Sequence, residues 1–390
     1  MKLRRRTVVA LAALAIGLTV QPATAAPAPA PPMADLDART LQSALDKLTA
    51  AGAPAALAEV RVGDRTWSGA SGVRDTRTKR PARPGDRYRI ASVTKSMVAA
   101  VVMQLVDEGR LKLDDPVSRH LPGLLPYTEQ ITLRQLLNHT SGVPNYFDQL
   151  YPGTGDKELE ELERNRFRYF PPRELIKMAA AKPLVSRPGA EFHYSNTNYL
   201  ILGQVVEKVT GRSLSAVLEQ RVFRPAGMKD TSYPTANPRI TGPHLNGYHQ
   251  VGSRPLRDLT VYTPSVWGAA AGVVSTNADL NRFYRALSDG TLLPSARWAE
   301  MREFTVAPYA LGVVPGGDLC PARPGEYLWG NTGNGFGYRT MSFSSPDGRR
   351  QLSFSWTLSV SEVDGPPEVS KAVNELVMAA VGATCPKPQK

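Results

Sequence analysis

The chain of 390 residues is long enough for one large domain or two ordinary ones, and with 42% hydrophobic and 21% charged residues it has a globular composition, neither disordered nor fibrous. Its net charge is +12, but Lys2, Arg4, Arg5 and Arg6 supply four of those charges within the first six residues. The remaining surface is modestly basic, suits an anionic partner such as a cell-wall polymer, and lacks the dense Lys/Arg run of a nucleic-acid binder.

In chain order, basic Met1 to Arg6 leads into the apolar stretch Thr7 to Val20 and the small residues Ala23-Thr24-Ala25. This pattern predicts a signal peptide over residues 1–25, hence a secreted protein with no stable membrane anchor after cleavage. Residues 26–33 alternate Ala and Pro and read as an extended linker. A single folded domain is then expected over residues 34–385. Leu36, Leu41, Leu45 and Leu48 predict a first helix, and Leu57 to Val62 and Thr66 to Ala70 predict two strands joined at Gly63-Asp64-Arg65. From Ser92 to Glu108 apolar residues cover most of a helix surface, so that helix is predicted to be buried.

The middle of the chain, about residues 107–262, shows short helical patterns broken by Pro and Gly and reads as a helical subdomain; examples are Leu133 to Leu137, Arg173 to Ala181 and Tyr199 to Thr210. Near the end, Tyr338 to Ser345 and Gln351 to Leu358 flank Pro346-Asp347-Gly348, a hairpin signal, and Pro367 to Val381 forms a last helix. Strands at both ends with helices between them predict an α/β fold in which one sheet is built from both termini. Cys320 and Cys385, an even pair in an exported chain, are predicted to be bridged.

Chemistry is first suggested by Ser92-Val93-Thr94-Lys95, because a Ser at a helix start and a Lys three residues on share one face and can act as nucleophile and base. Tyr194-Ser195-Asn196 precedes the helical run from Tyr199, and Asn331-Thr332-Gly333 precedes the hairpin. With Leu136-Leu137-Asn138-His139-Thr140-Ser141-Gly142, this ordered set resembles the serine β-lactamase and penicillin-binding superfamily, and is most similar to secreted D-alanyl-D-alanine carboxypeptidases and class C β-lactamases.

The resemblance implies a β-lactamase/transpeptidase-like fold, a mainly antiparallel sheet flanked by N- and C-terminal helices with a helical insertion. It makes Ser92 the acylated nucleophile, Lys95 its proton acceptor and Tyr194 the proton relay. Asn196 would bind the substrate amide, Thr332 the substrate carboxylate, and the backbone N–H groups of Ser92 and Asn334 the oxyanion, beside Gly333; Trp267 falls where relatives place an aromatic at the cleft. Asn331 stands where the family has Lys or His, which removes the usual cation and favours an esterase reading. Arg339 is a candidate substitute for it, and His139 is expected to hold a loop through its ring nitrogens.

The implied function is that of a D-alanyl-D-alanine carboxypeptidase taking a peptide or β-lactam, with peptidoglycan as a possible partner and a monomer as the working state; β-lactamase, esterase and inactive peptidoglycan-binding protein are the alternatives. No Gly-x-Ser-x-Gly elbow, His-Glu-x-x-His spacing, Walker loop or dinucleotide fingerprint occurs, so neither metal nor organic cofactor is expected.

Overall fold

The computed structural model describes residues 36–153, 156–252, 254–304, 308–317, 320, 325–360 and 366–385. The predicted signal peptide and linker lie outside them. Helix α1, Ala38–Ala50, is capped by Asp37, whose carboxylate accepts the N–H groups of Arg39 and Thr40. It is followed by β1, Ala55–Val62, β2, Arg65–Asp75, and the short β3, Arg80–Pro81. The C-terminal half supplies β4, Val314–Pro315, β5, Trp329–Gly335, β6, Tyr338–Ser344, and β7, Arg350–Trp356.

These strands form one seven-stranded sheet of order β3-β2-β1-β7-β6-β5-β4, antiparallel throughout. The chain ends meet at β1 and β7, where Val60 pairs with Leu352 and Ala58 with Phe354.

Alternation along β1 divides the interior in two, as the two-residue period of a strand requires. Ala56, Ala58 and Val60 join Leu41, Leu45 and Leu48 of α1 on one face, with Leu376 and Ala380 of the C-terminal helix Pro367–Thr384. Ala55 and Leu57 face the larger helical body instead, built around α2, Thr94–Asp107, and α3, Asn196–Thr210. Helix α2 buries eleven of its residues, which explains why its apolar positions follow no single stripe. Cys320 and Cys385 are bonded, with Cα atoms 5.6 Å apart, and sit in the α1-side core.

The middle of the chain is mainly helical, but it also carries two short strands that the sequence pattern did not suggest, Tyr248–Gln250 and Arg257–Asp258. Residues Asn277–Ser288 form a further long helix, capped by Thr276. Among the described residues, no helix is long and apolar enough to cross a membrane.

Candidate active site

Ser92 sits in a 3-10 turn, Ala91–Val93, directly before α2. Ala91 has φ 48°, a left-handed conformation that costs a residue with a Cβ about 1–2 kcal/mol. Packing from β5 holds this turn in place. A Cβ added to Gly333 would lie 2.2 Å from the Ile90 carbonyl oxygen, and one on Gly335 would lie 3.2 Å from the Ala91 Cβ. Glycine at 333 is therefore what lets the strand close onto the segment carrying Ser92.

Lys95, one helical turn further on, is fully buried. Its Nζ lies 2.8 Å from Asn196 Oδ1, 2.9 Å from the Ala270 carbonyl oxygen and 3.1 Å from Ser92 Oγ. Among the described residues no carboxylate pairs with it, and burial holds the ammonium well below its usual range. A neutral amine has two N–H groups, which Asn196 and Ala270 engage. Its lone pair then faces the Ser92 hydroxyl.

Tyr194 donates its hydroxyl to Ser92 Oγ at 2.8 Å. The side chain is 40% exposed at the mouth of the site, yet desolvation pushes its phenol up to about 12, partly offset by the bond to Ser92. It is a donor at neutral pH. With Lys95 in its neutral form, the donors run from Tyr194 to Ser92 and from Ser92 to Lys95.

Asn196 opens α3. Its backbone N–H is held by Asn145 Oδ1 at 3.1 Å, and its side-chain amide nitrogen bonds to no other described residue. From Asn331 onward strand β5 alternates, with Asn331, Gly333 and Gly335 buried and Thr332 and Asn334 exposed. Strand β4 pairs with it only at Gly330 and Trp329, so among the described residues the edge from Asn331 to Gly335 is open beside the Ser92 turn. An extended ligand can add to such an edge.

The Asn331, Trp267 and Arg339 side chains take the following positions. The Asn331 side chain is turned into the core, where Nδ2 donates to Tyr309 Oη at 2.9 Å and to the Gly312 carbonyl at 3.3 Å, and Oδ1 accepts the Thr332 N–H at 2.9 Å. Both ends of the amide are committed to protein. Trp267 is 5% exposed and packs between Phe147 and Phe336, each with ring centroids 4.9 Å away. It is part of an aromatic wall. Arg339 pairs with Asn334 in the β5–β6 register, so its side chain leaves the opposite face of the sheet from Asn331 and cannot stand in for a cation there.

The structure also adds residues that the sequence reading missed. Ala270 contributes only a carbonyl, which has no side-chain signature. Asn145 caps the helix Tyr146–Leu150 while gripping Asn196, and its N-cap position before an apolar turn was a signal available in the sequence. No cluster of three or more His, Cys, Asp or Glu side chains suited to a metal occurs among the described residues.

A family model described as Beta-lactamase matches residues 41–366. Esterase EstB of Burkholderia gladioli is 35% identical over 221 residues, 54% of this chain and 54% of its own. Protein flp of Staphylococcus aureus (strain MW2) is 30% identical over 212 residues, 53% of this chain and 40% of its own, so these curated relatives are matched over only part of their length. Among solved structures, a D-stereospecific amidohydrolase from Streptomyces sp. has a TM-score of 0.76 at 31% identity over 88% of this chain and 98% of that one. The D-amino acid amidase from Ochrobactrum anthropi SV3, complexed with L-phenylalanine amide, has a TM-score of 0.75 at 27% identity over 88% and 97%.

Proposed function

The chain belongs to the β-lactamase family and is a serine hydrolase of the β-lactamase and penicillin-binding superfamily; from that premise we propose that it cleaves amide or ester bonds of D-aminoacyl compounds whose leaving group is neutral. Ser92 Oγ attacks the carbonyl carbon as its proton passes to Lys95 Nζ. The oxyanion is held by the backbone N–H groups of Ser92 and Asn334, each such donor typically contributing about 3 kcal/mol. As the bond to the leaving nitrogen or oxygen breaks, Tyr194 gives that atom its proton and is reprotonated from Lys95. Water then attacks the acyl-enzyme with the same groups acting in reverse, releasing the acid and restoring the Ser92 hydroxyl. Asn196 Nδ2 is the donor for the acyl side of the substrate. Phe147, Trp267 and Phe336, packed ring on ring, are the apolar wall we assign to the substrate side chain.

The observation that carries the neutral leaving group is the inward Asn331, whose amide is engaged by Tyr309, Gly312 and the Thr332 N–H. The carbonyl-side chemistry is complete, but the third motif offers no charge for a terminal carboxylate. The names of the amidohydrolase and esterase relatives support the same reading. A D-alanyl-D-alanine carboxypeptidase is the second reading, favoured by exposed Thr332 and Asn334 on an open strand edge. Export of the enzyme, argued from the basic and apolar N-terminus, is compatible with the Cys320–Cys385 bond.

The deciding experiment is turnover of D-phenylalanine amide, a p-nitrophenyl ester, nitrocefin and a D-Ala-D-Ala peptide by one preparation. The amide and ester should be cleaved with kcat/KM well above that for the peptide acid; faster cleavage of the peptide acid would reinstate the carboxypeptidase.

A further inference from the structure

His139 is fully buried and has φ 60°, left-handed for a residue that is not glycine. Such strain persists only where the surroundings impose it. Its neighbours show what it holds. The His139 carbonyl accepts the N–H of His193 at 2.9 Å, and its Nδ1 faces the N–H of Ser195 at 3.2 Å and Nδ2 of Asn198 at 3.2 Å. One residue thus binds the chain on both sides of Tyr194. Its ring also lies against the Tyr194 ring, with centroids 4.3 Å apart and planes at 33°, and edge-on to Tyr309 at 4.7 Å.

Because Nδ1 receives a backbone N–H, it carries the lone pair, and the ring proton must be on Nε2. That nitrogen is buried and, among the described residues, donates to no protein atom. A ring packed at a tilt against the phenol, with its Nε2–H engaging no described residue, offers no proton route to Ser92, Lys95 or the Tyr194 hydroxyl. Burial in this dry volume disfavours the charged imidazole and holds the His139 pKa well below its usual range, and any charge on Lys95 would add to that.

We propose that His139, as the neutral Nε2–H tautomer, is the positioning residue of the site, clamping residues 193–195 and backing the Tyr194 ring so that its hydroxyl points at Ser92 Oγ. This rests on the proposed role of Tyr194 as proton donor to the leaving atom. The left-handed backbone at 139 brings the carbonyl and Nδ1 of one residue to the same segment, residues 193–195. A residue that merely filled core volume would need neither the acceptor nor the strained φ.

The test uses leaving-group dependence, which a stability defect does not change. A p-nitrophenolate leaves without protonation, whereas an amide nitrogen needs a proton. Tyr194→Phe should lower amide turnover at least about 100-fold and ester turnover far less. His139→Ala should reproduce that pattern, with the amide-to-ester ratio falling at least about 10-fold. His139→Asn, which tolerates the left-handed backbone and keeps an acceptor near the Nδ1 position, should recover part of the ratio. In a Tyr194→Phe background, either His139 change should lower amide turnover less than about 2-fold further, because the two act as one unit.

Equal loss on amide and ester, or full additivity in the double variants, overturns the positioning role while leaving Tyr194 as donor. An unchanged ratio in Tyr194→Phe itself removes the donor role and this proposal with it. Nitrogen-15 NMR of the wild type at neutral pH reads the tautomer of His139, one of five histidines, without any variant. A proton on Nδ1 would overturn the clamp.

Discussion

Lys95 Nζ donates to the Ala270 carbonyl at 2.9 Å, while the same nitrogen lies 3.1 Å from Ser92 Oγ. The base on α2 is thereby fixed by the segment Gly268–Ala271, and its lone pair is aimed by acceptors that satisfy its other two positions. A buried amine with no counter-ion also has a measurable thermodynamic consequence.

In the unfolded chain Lys95 has the ordinary pKa of about 10.4, and in the folded protein it lies well below. Between those values the unfolded state binds the extra proton, so stability must rise with pH across that window, by up to about 1.4 kcal/mol per pH unit. Below the folded pKa the cost is constant, and above the unfolded pKa it vanishes. Urea midpoints of wild type and Lys95→Met, measured across alkaline pH, should show the wild type gaining on the variant as pH rises. A parallel pair of curves would mean that Lys95 is charged in the folded state. The variant should also lose at least about 100-fold in acyl transfer.

Ser92 should be the residue acylated by a labelled penicillin, since a hydroxyl between an amine base and Tyr194 can open a strained lactam. Peptide mass mapping locates the adduct. Its survival in Ser92→Ala would move the nucleophile elsewhere.

Reduction of Cys320–Cys385 should lower stability by roughly 2–4 kcal/mol, the usual range for a bridge whose loss frees a long loop, here 65 residues apart in sequence. The bridge ties the end of the C-terminal helix to the α1-side core, whereas the residues flanking Ser92 pack in the other core, so thermal melts with and without reductant should differ while activity per folded molecule does not. A melt unchanged by reductant would contradict the stabilising role.

The sequence made the outer frame legible because its signals are local. Pro346-Asp347-Gly348 announces the β6–β7 hairpin, and Leu41, Leu45 and Leu48 announce α1. Strand β5 was not legible from pattern, since Gly330, Gly333 and Gly335 read as turn residues. Backbone atoms of Ser342 and Ile90 approach Gly330 and Gly333 too closely for a Cβ, and Gly335 packs tightly against the Ala91 Cβ. The spacing of Ser92 and Lys95 was visible, whereas the direction of the Asn331 side chain depends on strand register and on Tyr309, distant in sequence. Ala270 could be found only in three dimensions.

Recognition of a terminal carboxylate is where this chain should depart most from carboxypeptidases. A cation about 4 Å from a carboxylate contributes roughly 4 kcal/mol at the effective dielectric of a protein surface, before desolvation reduces it. With Asn331 neutral and engaged by Tyr309 and Gly312, that attraction is missing at the third motif. The wild type should therefore discriminate between a D-Ala-D-Ala peptide and its C-terminal amide by less than about 10-fold in kcat/KM, a difference of about 1.4 kcal/mol. Placing a histidine at 331 should not restore the preference at low pH, because the site is buried and burial favours the neutral imidazole. Asn331→His should instead lose the bond to Tyr309 and melt lower than wild type. A wild-type preference for the free acid above about 100-fold would require a cation on the exposed face of β5, and Arg339, which pairs with Asn334 on that face, is the side chain whose replacement by Ala would then have to abolish it.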